Sequence, residues 1–172
     1  MKKFLASIII FTVSAQPLFS CTNFLVSTKD GGFVEGRSME FALDMQSKIS
    51  VKPAGKKITS KAPQGLQGVA WTNKYGYLSV NALGLDTTID GLNEKGLSFA
   101  ALWFPGAVYN TDSIDKSKSA LLVDNLGDWI LGHVATVDEV RVGHDTVVLG
   151  VATRCQLAGR PPISAALHTR SC

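Results

Sequence analysis

Residues 21–40, CTNFLVSTKDGGFVEGRSME, leave the chain few ways to fold. Thr22, Phe24, Val26 and Thr28 alternate with Asn23, Leu25 and Ser27, which is the period of a strand and not of a helix. Asp30-Gly31-Gly32 breaks the run with residues that accept φ > 0, and Phe33 to Met39 resumes it. The segment 21–39 therefore predicts a β-hairpin that returns residues 37–41 to the side of Cys21. Parity adds a constraint. Arg37 and Glu40 would face opposite ways in one regular strand, so if both serve Cys21 the strand must end or bulge between them.

Upstream, residues 1–20 read MKKFLASIIIFTVSAQPLFS. Lys2 and Lys3 make a positive start, and Phe4 to Val13 is an apolar run too short to span a bilayer as a stable helix. This is the pattern of a bacterial-type signal peptide. It predicts an exported protein, periplasmic or secreted, with no transmembrane span. Two processing routes fit the residues. Val13-Ser14-Ala15 suits a signal peptidase and would leave residues 16–20 as a short propeptide, whose removal makes Cys21 N-terminal. Leu18-Phe19-Ser20-Cys21 reads instead as a lipobox, in which Cys21 would carry lipid and anchor the chain to a membrane. On the first route Cys21 holds a thiolate nucleophile and an α-amine that can serve as its own general base, so no separate histidine is needed.

The 172 residues suggest one domain with a real core, 45% hydrophobic and 18% charged. A formal charge of +3, with no basic run interleaved with aromatics, argues against a nucleic-acid partner. His133, His144 and His168 show no metal-ligand spacing. Lys48 to Val51 predicts a short strand, and Pro53 to Lys57 and Ala62 to Gly65 predict loops. Lys52, Lys56, Lys57 and Lys61 read as a solvated face. Trp71 to Val80 predicts strand with a turn at Asn73 to Gly76, its aromatics in the core. Asp90 to Leu102 predicts a second hairpin, turning at Asn93-Glu94-Lys95-Gly96 and delivering Trp103-Phe104-Pro105-Gly106 to a loop. Asp112 to Ser119 predicts polar loop. Leu121 to Leu131 predicts a helix ended by Gly132, with Leu122, Leu126, Trp129 and Ile130 on one face. Thr136-Val137-Asp138-Glu139 is a capping box for a helix that runs through Arg141 and does not develop further. Val147 to Val151 predicts a strand. Cys155 and Cys172 would pair in an oxidising compartment or are incidental to the tail.

Cys21-Thr22 and Gly36-Arg37-Ser38-Met39-Glu40 are followed in order by Asp90-Gly91-Leu92-Asn93-Glu94-Lys95-Gly96-Leu97, Leu102-Trp103-Phe104-Pro105-Gly106 and Trp129-Ile130-Leu131-Gly132. Together they resemble the choloylglycine hydrolase family, the N-terminal-nucleophile (Ntn) amidases that include penicillin V acylases and conjugated bile salt hydrolases. The resemblance is dense over residues 21–141 and sparse over 150–168. It implies an α+β protein with the αββα sandwich of Ntn hydrolases, of which residues 21–172 would hold the N-terminal part. Family members are considerably longer. Their further part supplies an oxyanion-hole asparagine and an arginine near the nucleophile, neither with a counterpart here.

The resemblance also implies roles. Cys21 would be the nucleophile. Arg37 would favour its thiolate by charge. Glu40, standing where the family usually has aspartate, would orient the α-amine. Trp103 would line the site, offering apolar surface and a backbone N–H for an oxyanion. The implied substrate is a small linear N-acyl amide such as a phenoxyacetyl penicillin, a bile salt or an N-acyl homoserine lactone. No metal or organic cofactor is implied; the family often forms tetramers, which leaves a homo-oligomer open, and the sequence itself does not give the oligomeric state. Two other readings stay open: an inactive fragment of the family, and a lipoprotein binding module anchored through Cys21.

Overall fold

The computed structural model describes residues 21–41, 43–62, 67–103, 119–144, 148–150 and 163–168, with backbone alone at 103, 142–144, 148–150 and 163–168. Residues 1–20, the segment 104–118, Cys155 and Cys172 lie outside the described residues. In chain order the strands are β1 (Thr22–Ser27), β2 (Phe33–Ser38), β3 (Ile49–Lys52), β4 (Lys57–Thr59), β5 (Ala70–Thr72), β6 (Tyr77–Val80), β7 (Asp90–Asn93), β8 (Ser98–Trp103) and β9 (Ala120–Leu122). A 3-10 turn at Val123–Asn125 leads into helix α1 (Leu126–His133), followed by helix α2 (Val137–His144) and strands β10 (Val148–Gly150) and β11 (Ile163–His168). No helix among the described residues is long and apolar enough to cross a membrane.

The predicted hairpin forms, with Thr22 opposite Ser38 and Ser27 opposite Phe33. Its turn is held by Asp30, whose carboxylate accepts from the Thr28 hydroxyl, and by Gly31 at φ 78°. Phe24 stands opposite Gly36, and its ring lies so close over that glycine that a Cβ there would collide with it.

Five strands make one antiparallel sheet in the order β11-β8-β7-β6-β3. The second predicted hairpin is its β7–β8 pair, with Gly96 at φ 82° closing the turn. Helix α1 covers one face of this sheet. Leu97, Phe99, Leu121, Trp129, Ile130 and Leu131 form the core with Trp71 and Tyr77, as expected for those aromatics. On the opposite face the register sets Val51 beside Leu78 and Leu78 beside Leu92, and all three are exposed. The described residues thus build a helix layer on a sheet whose second face is apolar, one half of an αββα arrangement.

Four expectations need correction. The helix does not begin at Leu121. Ala120–Leu122 is a buried strand that pairs in parallel with Val148–Gly150, and the Leu122 N–H donates to Ser60 Oγ at 2.9 Å. A continuous apolar run suits a buried strand as well as a helix, and only the partners decide. Gly132 does not end α1 but lies within it, where a Cβ would strike the Asn73 side chain; the chain turns extended at Val134. Helix α2 passes Arg141 and reaches His144. Its start is capped as foreseen, with the Glu139 N–H donating to Thr136 Oγ1 at 3.2 Å, while the Glu139 carboxylate accepts from Ala135 N–H at 2.8 Å. Lys52 is no part of a solvated face: it is buried and paired with Asp86, whereas Lys56, Lys57 and Lys61 are exposed.

Asn93 joins the hairpin turn to the end of α1. Its amide nitrogen donates to Leu131 O at 3.0 Å and Val134 O at 2.9 Å, and its oxygen accepts from the Lys95 and Leu97 N–H groups at 3.0 Å. His133 stacks on Trp129 with ring centroids 5.6 Å apart. Burial pushes the His133 pKa below its ordinary 6.5, Lys74 adds to that, and Glu139 opposes it. The fold therefore binds this proton less tightly than the unfolded chain does. The corresponding stability is fully present above about pH 6.5 and is lost as pH falls toward the lowered value. His133→Phe, which keeps a ring on Trp129, should flatten the fall in melting temperature between about pH 7 and pH 5. Thermal unfolding followed by circular dichroism at several pH values checks this.

Candidate active site

Cys21 immediately precedes β1 and is half-buried. The Thr22 N–H donates to Ser38 Oγ at 3.2 Å, which holds the open end of the hairpin closed. The Cys21 thiol donates to the main-chain oxygen of Glu40 at 3.8 Å. Strand β2 stops at Ser38, between Arg37 and Glu40, where parity requires an end or a bulge. The hairpin thus carries residues 37–40 back to the cysteine. Glu40 meets the thiol through its carbonyl, and the residue itself is exposed.

Arg37 lies opposite Asn23 on the hairpin and reaches into the five-stranded sheet. Nη1 donates to Asp90 Oδ2 at 2.9 Å and Ile89 O at 3.2 Å, and Nη2 donates to Ala101 O at 2.7 Å. The Arg37 side chain is 9% exposed and that of Asp90 24%. Burial pushes the Asp90 carboxyl pKa up, the bond and charge of Arg37 pull it down, and burial wins. Arg37 Nε and, across the ladder, Asn23 Oδ1 are buried with no hydrogen-bond partner among the described residues. The Asn23 amide nitrogen donates to Glu35 Oε1 at 2.9 Å. A polar cluster of Asn23, Glu35, Arg37 and Asp90 therefore stands on the face of the hairpin that meets the sheet, two residues along β1 from Cys21.

Trp103 is the last residue of β8, opposite Ile163 of β11, and so belongs to the strand and not to the following loop. It lies two residues beyond the Ala101 carbonyl that holds Arg37. The loop expected to start there falls outside the described residues. The structure thus brings Cys21, Arg37 and the main chain of Glu40 to one end of the hairpin, with the backbone of Trp103 on the strand that Arg37 grips. Sequence reasoning missed Asp90, noticed only as the start of a hairpin. An acid at the first residue of a strand carries no signal of a cation 53 positions earlier.

The helix-covered antiparallel sheet with a hairpin docked on its other face is the α+β fold of Ntn hydrolases. The same architecture is found in a mutant of conjugated bile acid hydrolase from Clostridium perfringens, with a TM-score of 0.67 at 24% identity over 87% of this chain and 45% of that one. Penicillin V acylase from Agrobacterium tumefaciens gives 0.66 at 24% identity, over 87% of this chain and 52% of that one. In sequence, penicillin V acylase of Pectobacterium atrosepticum is 30% identical over 139 residues, 77% of this chain and 36% of that protein. Bile salt hydrolase/transferase of Clostridium perfringens is 33% identical over 123 residues, 70% of this chain and 36% of that protein. The family model for linear amide C-N hydrolases, choloylglycine hydrolase family, matches residues 21–157, and the chain belongs to that family. It spans about a third of the length of these curated relatives.

Arg37→Met would leave the Asp90 carboxylate and two carbonyls facing an apolar chain end, and should cost about 3 kcal/mol. Asp90→Asn keeps the shape and should cost less. Combined, the two should cost less than their sum by about 1 kcal/mol or more, because they share one interaction. Urea unfolding of the four proteins measures the coupling.

Proposed function

We propose that the chain is an exported amidase that hydrolyses the C–N bond of a linear, non-peptide N-acyl amide, with Cys21 as its N-terminal nucleophile. The observation that carries this reading is the placement of the Cys21 thiol and the buried Arg37 at one end of a hairpin whose second strand stops between Arg37 and Glu40. Once the leader is removed, the α-amine of Cys21 takes the thiol proton and the sulfur attacks the substrate carbonyl. The tetrahedral oxyanion collapses with loss of the amine, which takes the proton held on the α-amine, and water, giving up a proton to the same α-amine, then releases the acyl group from sulfur. Arg37 favours the thiolate by charge, the Glu40 carboxylate orients the α-amine, and Trp103 offers apolar surface and a backbone N–H to the acyl group. The names of the relatives point to penicillin V and conjugated bile salts as the substrates to try, with N-acyl homoserine lactones beside them.

The test starts from the intact mass of the protein isolated from the periplasm or medium, where a chain beginning at Cys21 is expected. Added lipid mass on Cys21 would overturn the nucleophile and make the residue an anchor. Cys21→Ala should abolish release of amine from whichever of these substrates the wild-type chain cleaves. Undiminished hydrolysis by the alanine variant would sink the mechanism.

A further inference from the structure

Two of the three acceptors that hold Arg37 come from one short bend, Ile89 and Asp90. That bend has a clamp of its own, on the far side of the sheet from the cysteine. Asp128, 3% exposed, sits in the first turn of α1. Its Oδ1 accepts from Thr88 Oγ1 at 2.6 Å and from Tyr77 OH at 2.7 Å, and its Oδ2 accepts from Thr88 N–H at 3.4 Å. Thr88 Oγ1 also lies 2.8 Å from Ser79 Oγ. Gly127 completes the clamp: a Cβ there would run into Thr88 O, so the bare glycine lets the helix press onto the same residue.

The main chain beyond Thr88 has little freedom left. The Ile89 N–H donates to Val80 O at 2.9 Å, and Ile89 O accepts from Ala101 N–H at 2.8 Å as well as from Arg37. In a regular strand residues 88 and 90 would share a face. Here Thr88 turns under to α1 while Asp90 turns to Arg37, and the bend at Ile89, just before β7 begins, makes the switch. Thr88 and these two ladder bonds together therefore set where the Ile89 carbonyl and the Asp90 carboxylate point. The carboxylate that fixes it plays no part in the chemistry proposed above.

We propose that Asp128, acting through Thr88, is a positioning residue for Arg37 and through it for the reactivity of Cys21. This rests on the reading that Arg37 favours the Cys21 thiolate. A carboxylate whose bonds served only to fill the core would set stability alone. One that positions the bend sets the reactivity of a thiol on the other side of the sheet.

Alkylation of Cys21 by iodoacetamide in the full chain tests this, read by mass spectrometry on the Cys21 peptide so that Cys155 and Cys172 do not contribute. Arg37→Gln is expected to slow the reaction about tenfold at neutral pH. Thr88→Val, which keeps the volume and loses the hydroxyl, and Asp128→Asn should each slow it at least about threefold. Thr88→Ser, which keeps the hydroxyl, should restore the wild-type rate. Tyr77→Phe removes the other bond to the same Asp128 oxygen. It should lower the melting temperature and leave the alkylation rate unchanged. If Arg37→Gln has no effect, this proposal falls together with the assigned role of Arg37. If Arg37→Gln slows alkylation and folded Thr88→Val does not, the positioning proposal alone is overturned. It is overturned equally if Tyr77→Phe slows alkylation as much as Thr88→Val does.

Discussion

Everything at the candidate site depends on how one guanidinium is buried. A charge taken out of water is costly unless acceptors replace its hydration. Arg37 finds three, a carboxylate and two carbonyls, on strands β7 and β8 and the bend that precedes β7, and none of them on its own hairpin. Its planar fork lets the two terminal nitrogens reach Asp90 and Ile89 on one side and Ala101 on the other. Among the described residues the β1–β2 hairpin shares no ladder with that sheet. A buried, directional ion pair therefore does what a ladder would otherwise do, and sets where the hairpin and its cysteine stand.

The sheet that receives Arg37 is stiff for a separate reason. Its other face carries α1, in which every residue from Gly127 to Gly132 is buried. The apolar members, with Phe99 and Leu97, supply most of the driving force. The polar ones, Asp128 against Thr88 and Tyr77, and Asn93 against the α1 carbonyls, fix the helix at one position along the strands. Burial first and the Asp128 charge second push the Tyr77 hydroxyl pKa far up, which keeps it a donor to Asp128. Apolar contacts alone would allow the helix to slide. The hydrogen bonds do not.

Much of this was legible locally. Both hairpins announced themselves through period-two alternation about a glycine-bearing turn, a pattern that needs no distant partner. The capping box at Thr136 was equally local. The errors share a cause as well. Ala120–Leu122 is apolar at every position, and its strand identity comes from Val148–Gly150, far along the chain. Lys52 looked solvated until Asp86 was brought against it. Gly132 looked like a helix stop, and its real constraint is the Asn73 side chain on another loop. Gly36 is the instructive middle case: it was noticed within a motif, and the ring of Phe24 across the ladder shows what the position requires.

The sequence by itself determined the cysteine at the head of a hairpin, the return of Arg37 and Glu40 toward it, and the family to which those residues belong. These depend on strand parity, turn chemistry and motif order, all of which act over short stretches of chain. Only the tertiary structure decided that the thiol meets Glu40 through its main chain, that Arg37 pairs with Asp90, and that Asp128 holds the bend before Asp90 from the opposite face. Those pairings span tens of residues. They form because the sheet buries the groups together and desolvation then forces each to find a partner, and nothing in the local pattern of either partner names the other.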